Sequence, residues 1–334
     1  MTETLPPAST PEFHQGWFSN WEARDLAPLI SLAVLIAFFS FAADGFLKLN
    51  TLRLILQQGA VLGIVATGLT FVLLCGEIDL SVGTVALWTA CACGVISQKM
   101  GPGILGSTMA IILPLSTALM LGFHSGVLTV TSRLPSFIIT LAVMYITTGA
   151  SRYITASQSF DVPPLLQDLG VHTFDVGGLS IPASALITVV ILIVGHLVLE
   201  HTRFGRYVYM TGGNREAARL AGIRTGTIVA ACLSISALTA GLGGLLNAGR
   251  MNKVSLDQNA DLLLEAVACV VLGGTSLFGG EGGMFKTTIG VLTFMVLRVG
   301  LNQIVWIDDL LRPFLMGEVL LVALLINGFL GRRT

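Results

Sequence analysis

The feature that most constrains this chain is a set of long apolar runs with no charged side chain. Leu26–Ala43, Ile104–Phe123, Ala183–Leu199 and Thr225–Ala248 contain no Asp, Glu, Lys or Arg. A helix needs about 20 mostly apolar residues to cross the hydrocarbon core of a bilayer. Several such runs in one chain of 334 residues describe a multi-span membrane protein rather than a soluble domain with an anchor. Composition agrees: only 11% of the residues are charged, against about 25% in soluble domains, and the mean hydropathy is +0.84.

Following the apolar runs along the chain predicts an all-α, polytopic integral membrane protein of about ten transmembrane helices with both termini cytoplasmic. The predicted spans are 26–43, 51–75, 80–98, 103–123, 135–153, 183–200, 225–248, 261–277, 284–303 and 312–330. Residues 1–25 are expected to form a cytoplasmic tail. Their beginning, Met1–Gln15, is polar and acidic and lacks the basic front end of a signal peptide. Residues 26–330 then form the transmembrane domain, and 331–334 a short cytoplasmic C-terminus.

Orientation follows from basic residues, which stay on the cytoplasmic side. The stretch 201–224 holds Arg203, Arg206, Arg215, Arg219 and Arg224 against one acid, Glu216. The stretch 154–182 holds Asp161, Asp168 and Asp175 and no Lys or Arg beyond residue 152. The first is therefore expected inside and the second outside. The net charge of −1 gives no sign of nucleic-acid binding; lipid is the expected surrounding. Cys75, Cys91, Cys93, Cys232 and Cys269 all fall in apolar runs and read as small packing residues. Gly59, Gly63, Gly241, Gly243 and Gly244 suit close helix crossings.

Three segments stand out. CGEIDLSVG, Cys75–Gly83, puts Glu77 and Asp79 between two apolar runs. Acids at membrane depth are costly and face a cavity or a partner. Gly76 and Gly83 permit unusual backbone, and Asp79 or Ser81 is in position to cap the following helix. In Thr202–Gly226, Gly212-Gly213-Asn214 reads as a turn. Arg215–Leu220 reads as a short helix with Asn214 as N-cap and Gly222 as stop signal, or else simply as a basic loop that sets topology. VVLGGTSLFGGEGG, Val270–Gly283, carries six glycines between Gly273 and Gly283. A phosphate loop needs a Gly-Lys-Ser/Thr ending, and no Gly-Lys pair occurs in the chain, so a close helix crossing or helix break is expected instead. Arg298 and Glu318 are expected to pair across the last two spans, since unpaired charges are expensive there.

Together these segments resemble the permease subunits of ribose-type ABC importers for monosaccharides. The resemblance rests on GLTFVLLCGEIDLSVG (Gly68–Gly83), RLPSFIITL (Arg133–Leu141), the string from Arg203 to Ile223, and CVVLGGTSLFGGEGG (Cys269–Gly283). It covers about residues 50–330, nearly the whole chain. It implies a transporter subunit without a catalytic site, forming a homodimer around one pathway in the bacterial cytoplasmic (inner) membrane. It implies a cytoplasmic ABC ATPase that carries ATP and Mg²⁺, with no cofactor on this chain. It also implies a periplasmic or lipid-anchored sugar-binding protein. By resemblance, Gly213, Asn214, Ala217, Ala218 and Gly222 belong to the coupling helix that docks on the ATPase, with Arg215 and Glu216 at variable positions. Glu77, Asp79, Ser81, Gly83, Gly273, Gly274, Thr275 and Ser276 are family-motif positions near the pathway. The chain departs from the family pattern at Glu77, where Gly or Ser is usual. It departs again at Asn259–Val267, where a Gly-x-Gly-Tyr-Glu-Leu string is usual and the family's Glu falls at Leu263.

Two other readings compete. An ion-coupled secondary transporter of a small polar solute would use Glu77, Asp79, Glu265 and Glu318 as ion sites, but has no use for a helix at 214–220. A membrane-embedded enzyme has no support from any His/Asp, Cys/His or metal-ligand cluster in the sequence.

Overall fold

The computed structural model describes residues 23–259 and 261–331. The expected tail falls largely outside these residues, as do the last three residues of the chain.

Four of the first five helices follow the predicted spans closely: α1 (Ala23–Ala42), α2 (Leu49–Leu74), α3 (Val82–Met100) and α5 (Ser136–Thr155); α4 (Ile104–Ser132) runs nine residues beyond the predicted end at 123. The stretch expected only to be polar and external is structured. It contains β1 (Phe160–Asp161), α6 (Pro164–Val171), β2 (Thr173–Val176) and β3 (Leu179–Pro182). Then follow α7 (Ala183–His201), α8 (Arg203–Gly213), α9 (Arg215–Leu220), α10 (Thr225–Met251), β4 (Lys253–Val254), α11 (Leu262–Leu272), α12 (Met284–Gln303) and α13 (Arg312–Gly331). Among the described residues, α2, α4, α5, α7, α10 and α12 are long and apolar enough to cross a membrane, with shorter apolar helices at Leu26–Ala42 and Leu262–Leu272.

Two expectations are corrected. The eighth predicted span, 261–277, is helical only over the 11 residues of α11. At 1.5 Å per residue that is about 16 Å, roughly half the hydrocarbon thickness. The helix stops where the glycine run begins. Gly212-Gly213 is also not a turn: both residues finish α8, an 11-residue helix whose apolar and basic faces were not foreseen. The chain bends only at Asn214, which is at once the C-cap of α8 and the N-cap of α9.

Packing explains the order. Every residue of α2 from Gly59 to Leu74 is buried, so this helix is shielded on all sides. It packs with α10, α12 and α7, and α10 packs in turn on α3 and α4. Gly63 and Gly243 make these approaches possible: a Cβ at Gly63 would sit 2.7 Å from Thr188 Cγ2, and one at Gly243 would sit 2.5 Å from Val65 Cγ2. A Cβ at Gly244 would strike the Ala86 carbonyl. The outer helices show the reverse pattern. Val189, Val190, Ile193, Val194 and Leu197 of α7 are exposed, as are Ile112, Leu113, Met120 and Phe123 of α4. Such faces are stable in lipid, not in water. Buried hydroxyls inside the helices bond back to the preceding turn, as Thr67 does to Gly63 O (2.8 Å) and Thr89 to Val85 O (2.7 Å).

The bundle has two distinct ends. At one, β1 pairs antiparallel with β4, joining the 154–182 stretch to the segment after α10. Gly249 near the end of α10 also lies against Leu166 of α6. At the other end lie the connections 75–81 and 273–283 and the helices α8 and α9. The acidic and the basic stretch thus occupy opposite ends. All five cysteines are buried and unbridged.

Candidate coupling and pathway site

α9 is short because its sequence starts and stops it. Asn214 Oδ1 accepts the Ala217 N–H at 3.0 Å, which satisfies one of the open donors of the first turn. At the other end Gly222 takes φ +82°. The Gly222 N–H donates to Arg219 O (2.9 Å) and the Ile223 N–H to Ala218 O (3.0 Å), a Schellman ending. The helix shows two faces. Ala218 is buried against the bundle at 1% exposure, while Glu216, Ala217, Arg219 and Leu220 are exposed.

α2 ends in the same way. Gly76 has φ +76°, its N–H donates to Leu73 O (2.9 Å), and the Glu77 N–H donates to Val72 O (3.1 Å). Residues 77–81 then form neither helix nor strand. Irregular backbone inside a bundle must find donors and acceptors elsewhere. Here α5 supplies them from two positions one turn apart: the Ile78 N–H donates to Ser136 Oγ and the Leu80 N–H to Thr140 Oγ1, both at 3.0 Å. Asp79 is 2% exposed. Its Oδ1 accepts the Ser81 N–H (2.9 Å) and hydroxyl (2.6 Å), and its Oδ2 accepts the Ser236 hydroxyl of α10 (2.8 Å). The cap expected from Asp79 or Ser81 is therefore replaced by an Asx turn ahead of α3, tied across to α10; Ser81 holds the N-cap position without a side-chain cap bond. Glu77 is buried and forms an ion pair with Arg215 of α9. Glu77, a departure from the family pattern, is thus bonded to Arg215, one of its variable positions.

The glycine run forms the third wall. α11 closes with Gly274 at φ +94°, its N–H donating to Val271 O (2.9 Å) and that of Thr275 to Val270 O (3.2 Å), again a Schellman ending. The loop beyond reaches the other two segments. Gly280 N–H donates to Leu74 O at 2.9 Å. A Cβ at Gly279 would lie 2.9 Å from Gly76 Cα and 3.0 Å from Gly212 Cα; one at Gly280 would lie 2.7 Å from Gly213 Cα. A Cβ on Gly212 would collide with Leu74 O. The three segments singled out in the sequence thus meet backbone to backbone, and at Gly212, Gly279 and Gly280 only glycine fits. Tyr209 pins the edge: its hydroxyl is 3.2 Å from Glu200 Oε1 and 3.2 Å from Gly282 O. Burial and the Glu200 carboxylate push this phenol above its ordinary pKa, so it remains a donor. Gly273 serves the close crossing expected of it, since its Cβ would strike Lys286 O on α12.

The remaining residues fall as follows. Ser276 N–H donates to Glu281 O (2.8 Å) and Ser276 Oγ accepts the Phe278 N–H (3.1 Å), which folds the loop on itself. Thr275 is buried beneath it. Gly83 is the second residue of α3, and the Asn259 carbonyl lies 3.1 Å from where its Cβ would be. The expected Arg298–Glu318 pair does not form. Arg298 Nη1 instead donates to both oxygens of Glu265, at 2.7 and 2.8 Å, and Glu318 is exposed on α13. Counting depth along straight spans favoured Glu318; the shortened α11 brings Glu265 to Arg298 first. Ser136, Thr140 and Ser236 were not foreseen as partners. The four-residue spacing of Ser136 and Thr140 within RLPSFIITL is the signal that could have found the first two.

A helical bundle with six helices long and apolar enough to cross a membrane, a buried break and a short basic helix at one end has the form of a multi-pass membrane permease. Residues 51–326 match the family described as branched-chain amino acid transport system, permease component, and the chain belongs to that family. Among curated proteins it is 33% identical to the ribose import permease protein RbsC of Escherichia coli (strain K12), over 93% of this chain and 96% of that protein. It is 34% identical to the ribose import permease protein RbsC of Bacillus subtilis (strain 168), over 91% of this chain and 92% of that one. It is 29% identical to the fructose import permease protein FrcC of Rhizobium meliloti, over 91% of this chain and 85% of that one. No solved structure matches the chain. It is a transporter subunit of the membrane, not an enzyme.

Proposed function

We propose that this chain builds the translocation pathway of an ATP-driven, binding-protein-dependent importer of a monosaccharide or related polyol in the bacterial inner membrane. The observation that carries this reading is α9, a capped helix at the basic end of the bundle, bonded through Glu77 to the break between α2 and α3. A partner that grips the exposed face of α9 pulls directly on that break. In this reading the partner is a cytoplasmic ABC ATPase that binds ATP and Mg²⁺, the basic end faces the cytoplasm, and both termini lie there. Gly213, Asn214, Arg215, Glu216, Ala217 and Gly222 present the docking surface, with Ala218 anchoring it. A second copy completes the pathway, and a periplasmic or lipid-anchored sugar-binding protein delivers the solute to the opposite end. Import of ribose and fructose by relatives named for those sugars supports the solute class.

The ion-coupled alternative loses three of its four acids: Asp79 is committed to Ser81 and Ser236, Glu77 to Arg215 and Glu265 to Arg298, while Glu318 is exposed on α13. The test is capture of the tagged chain from its native membrane in mild detergent, with mass spectrometry of what accompanies it. A stoichiometric ATP-binding subunit, lost when 213–222 are altered, is expected. A preparation without an ATPase, from cells whose uptake collapses with the ion gradient, contradicts the reading.

A further inference from the structure

At the far end of α10 from the coupling junction, three helices and a loop bring polar side chains together. Arg250 Nη2 donates to Asn247 Oδ1 (2.9 Å), and Asn247 Nδ2 donates to Asn259 Oδ1 (2.8 Å). Asn259 leads into α11 with φ +67°, a conformation asparagine tolerates better than most residues. One turn into α11, Glu265 is held by Arg298 of α12. Arg298 is close enough to Arg250 for the two cations to repel, and Asp261 acts likewise on Glu265. Two cations and two anions balance. What is unmet is hydrogen bonding: Arg250 Nε and Asn259 Nδ2 are both buried and have no acceptor among the described residues. Buried donors are normally satisfied. The demand is for neutral acceptor oxygens placed side by side, because the charges already cancel. Adjacent hydroxyls meet it, and can in return donate to Glu265.

We propose that Arg250 and Asn259, framed by Asn247 and the Glu265–Arg298 pair, form a subsite on the pathway for adjacent hydroxyls of a neutral sugar or polyol. This rests on the importer reading and adds where the solute touches the chain. It also gives a role to Asn259–Val267, the segment in which this chain departs from the pattern it otherwise resembles.

The test is saturation-transfer NMR on the full chain in lipid nanodiscs, with ribitol, D-ribose and D-gluconate as separate probes. Transfer to ribitol or D-ribose is expected, several-fold weaker in Arg250→Lys, which keeps the charge but removes Nε together with the Nη2 bond to Asn247. Asn259→Asp keeps the acceptor for Asn247 and removes the unmet donor, so it decides the matter should Arg250→Lys fail to fold. No transfer to either neutral probe, transfer to D-gluconate alone, or unchanged transfer in a folded variant overturns the subsite. ATPase capture by the same preparation is scored separately. Capture without polyol contact counts against the subsite alone, and polyol contact without capture counts against the importer.

Discussion

The backbone amide of Gly280 donates to the carbonyl of Leu74 at 2.9 Å, so the loop after α11 is bonded to the last turn of α2. That carbonyl is also where a side chain on Gly212 would collide, whereas the nearest atom to a Cβ on Gly213 is Gly280 Cα at 3.9 Å. Two neighbouring glycines therefore have different tolerances. Gly212→Ala is expected to cost about 1–3 kcal/mol through overpacking, and Gly213→Ala less than about 0.5 kcal/mol. Thermal unfolding of the two variants in detergent, read by near-ultraviolet signal, compares them directly; equal midpoints would mean the junction is loose.

Glu77 and Arg215 should act as a pair. Removing one partner leaves a buried carboxylate without its cation, while Arg215 can turn to solvent because its side chain is 48% exposed. Glu77→Arg alone and Arg215→Glu alone are each expected to cut uptake per ATP hydrolysed, and the double exchange to restore a large part of it. A double variant no better than the worse single one argues that the contact carries no coupling.

Asp79 is expected to be structural. Asp79→Ala strands the buried Ser236 hydroxyl and the Ser81 amide, at about 1–3 kcal/mol for each unsatisfied group. Asp79→Asn keeps the shape and most acceptors and should lose less. An uptake profile against pH that changes only in Asp79→Asn, with stability untouched, would instead make Asp79 a proton site.

Charge in the far half of the bundle gives a fourth contrast. Glu265→Gln breaks the bidentate contact to Arg298 and is expected to lower stability by about 1–3 kcal/mol, below the value for a fully buried pair because Arg298 is partly exposed. Glu318→Gln is expected to leave the unfolding midpoint where it was, since Glu318 is exposed.

Much of this architecture is legible in the residues. The limits of α9 follow from Asn214 and Gly222, a cap and a left-handed stop, which act locally and need no tertiary information. The uncharged runs locate α1, α7 and α10 to within a few residues because lipid imposes one length and one polarity on every span. The failures are non-local. Glu77–Arg215, Asp79–Ser236 and Glu265–Arg298 join segments far apart in the chain, and no spacing rule links them. α11 was overextended because Gly273–Gly283 is flanked by apolar residues that read as more span. Its glycines are there for contact with Gly212 and Gly76, which shows only once the helices are packed.

The central claim, that α9 is the surface an ATPase grips, is tested most directly by cysteine cross-linking from position 217. Ala217 faces outward and Ala218 faces the bundle, so the two positions serve as probe and control. With Ala217→Cys in the full chain, expressed with its native partners, a short thiol cross-linker is expected to join the permease to an ATP-binding subunit, and Ala218→Cys to give little product. Products from both positions alike, or none from 217 while ATP-dependent uptake persists, would contradict the account.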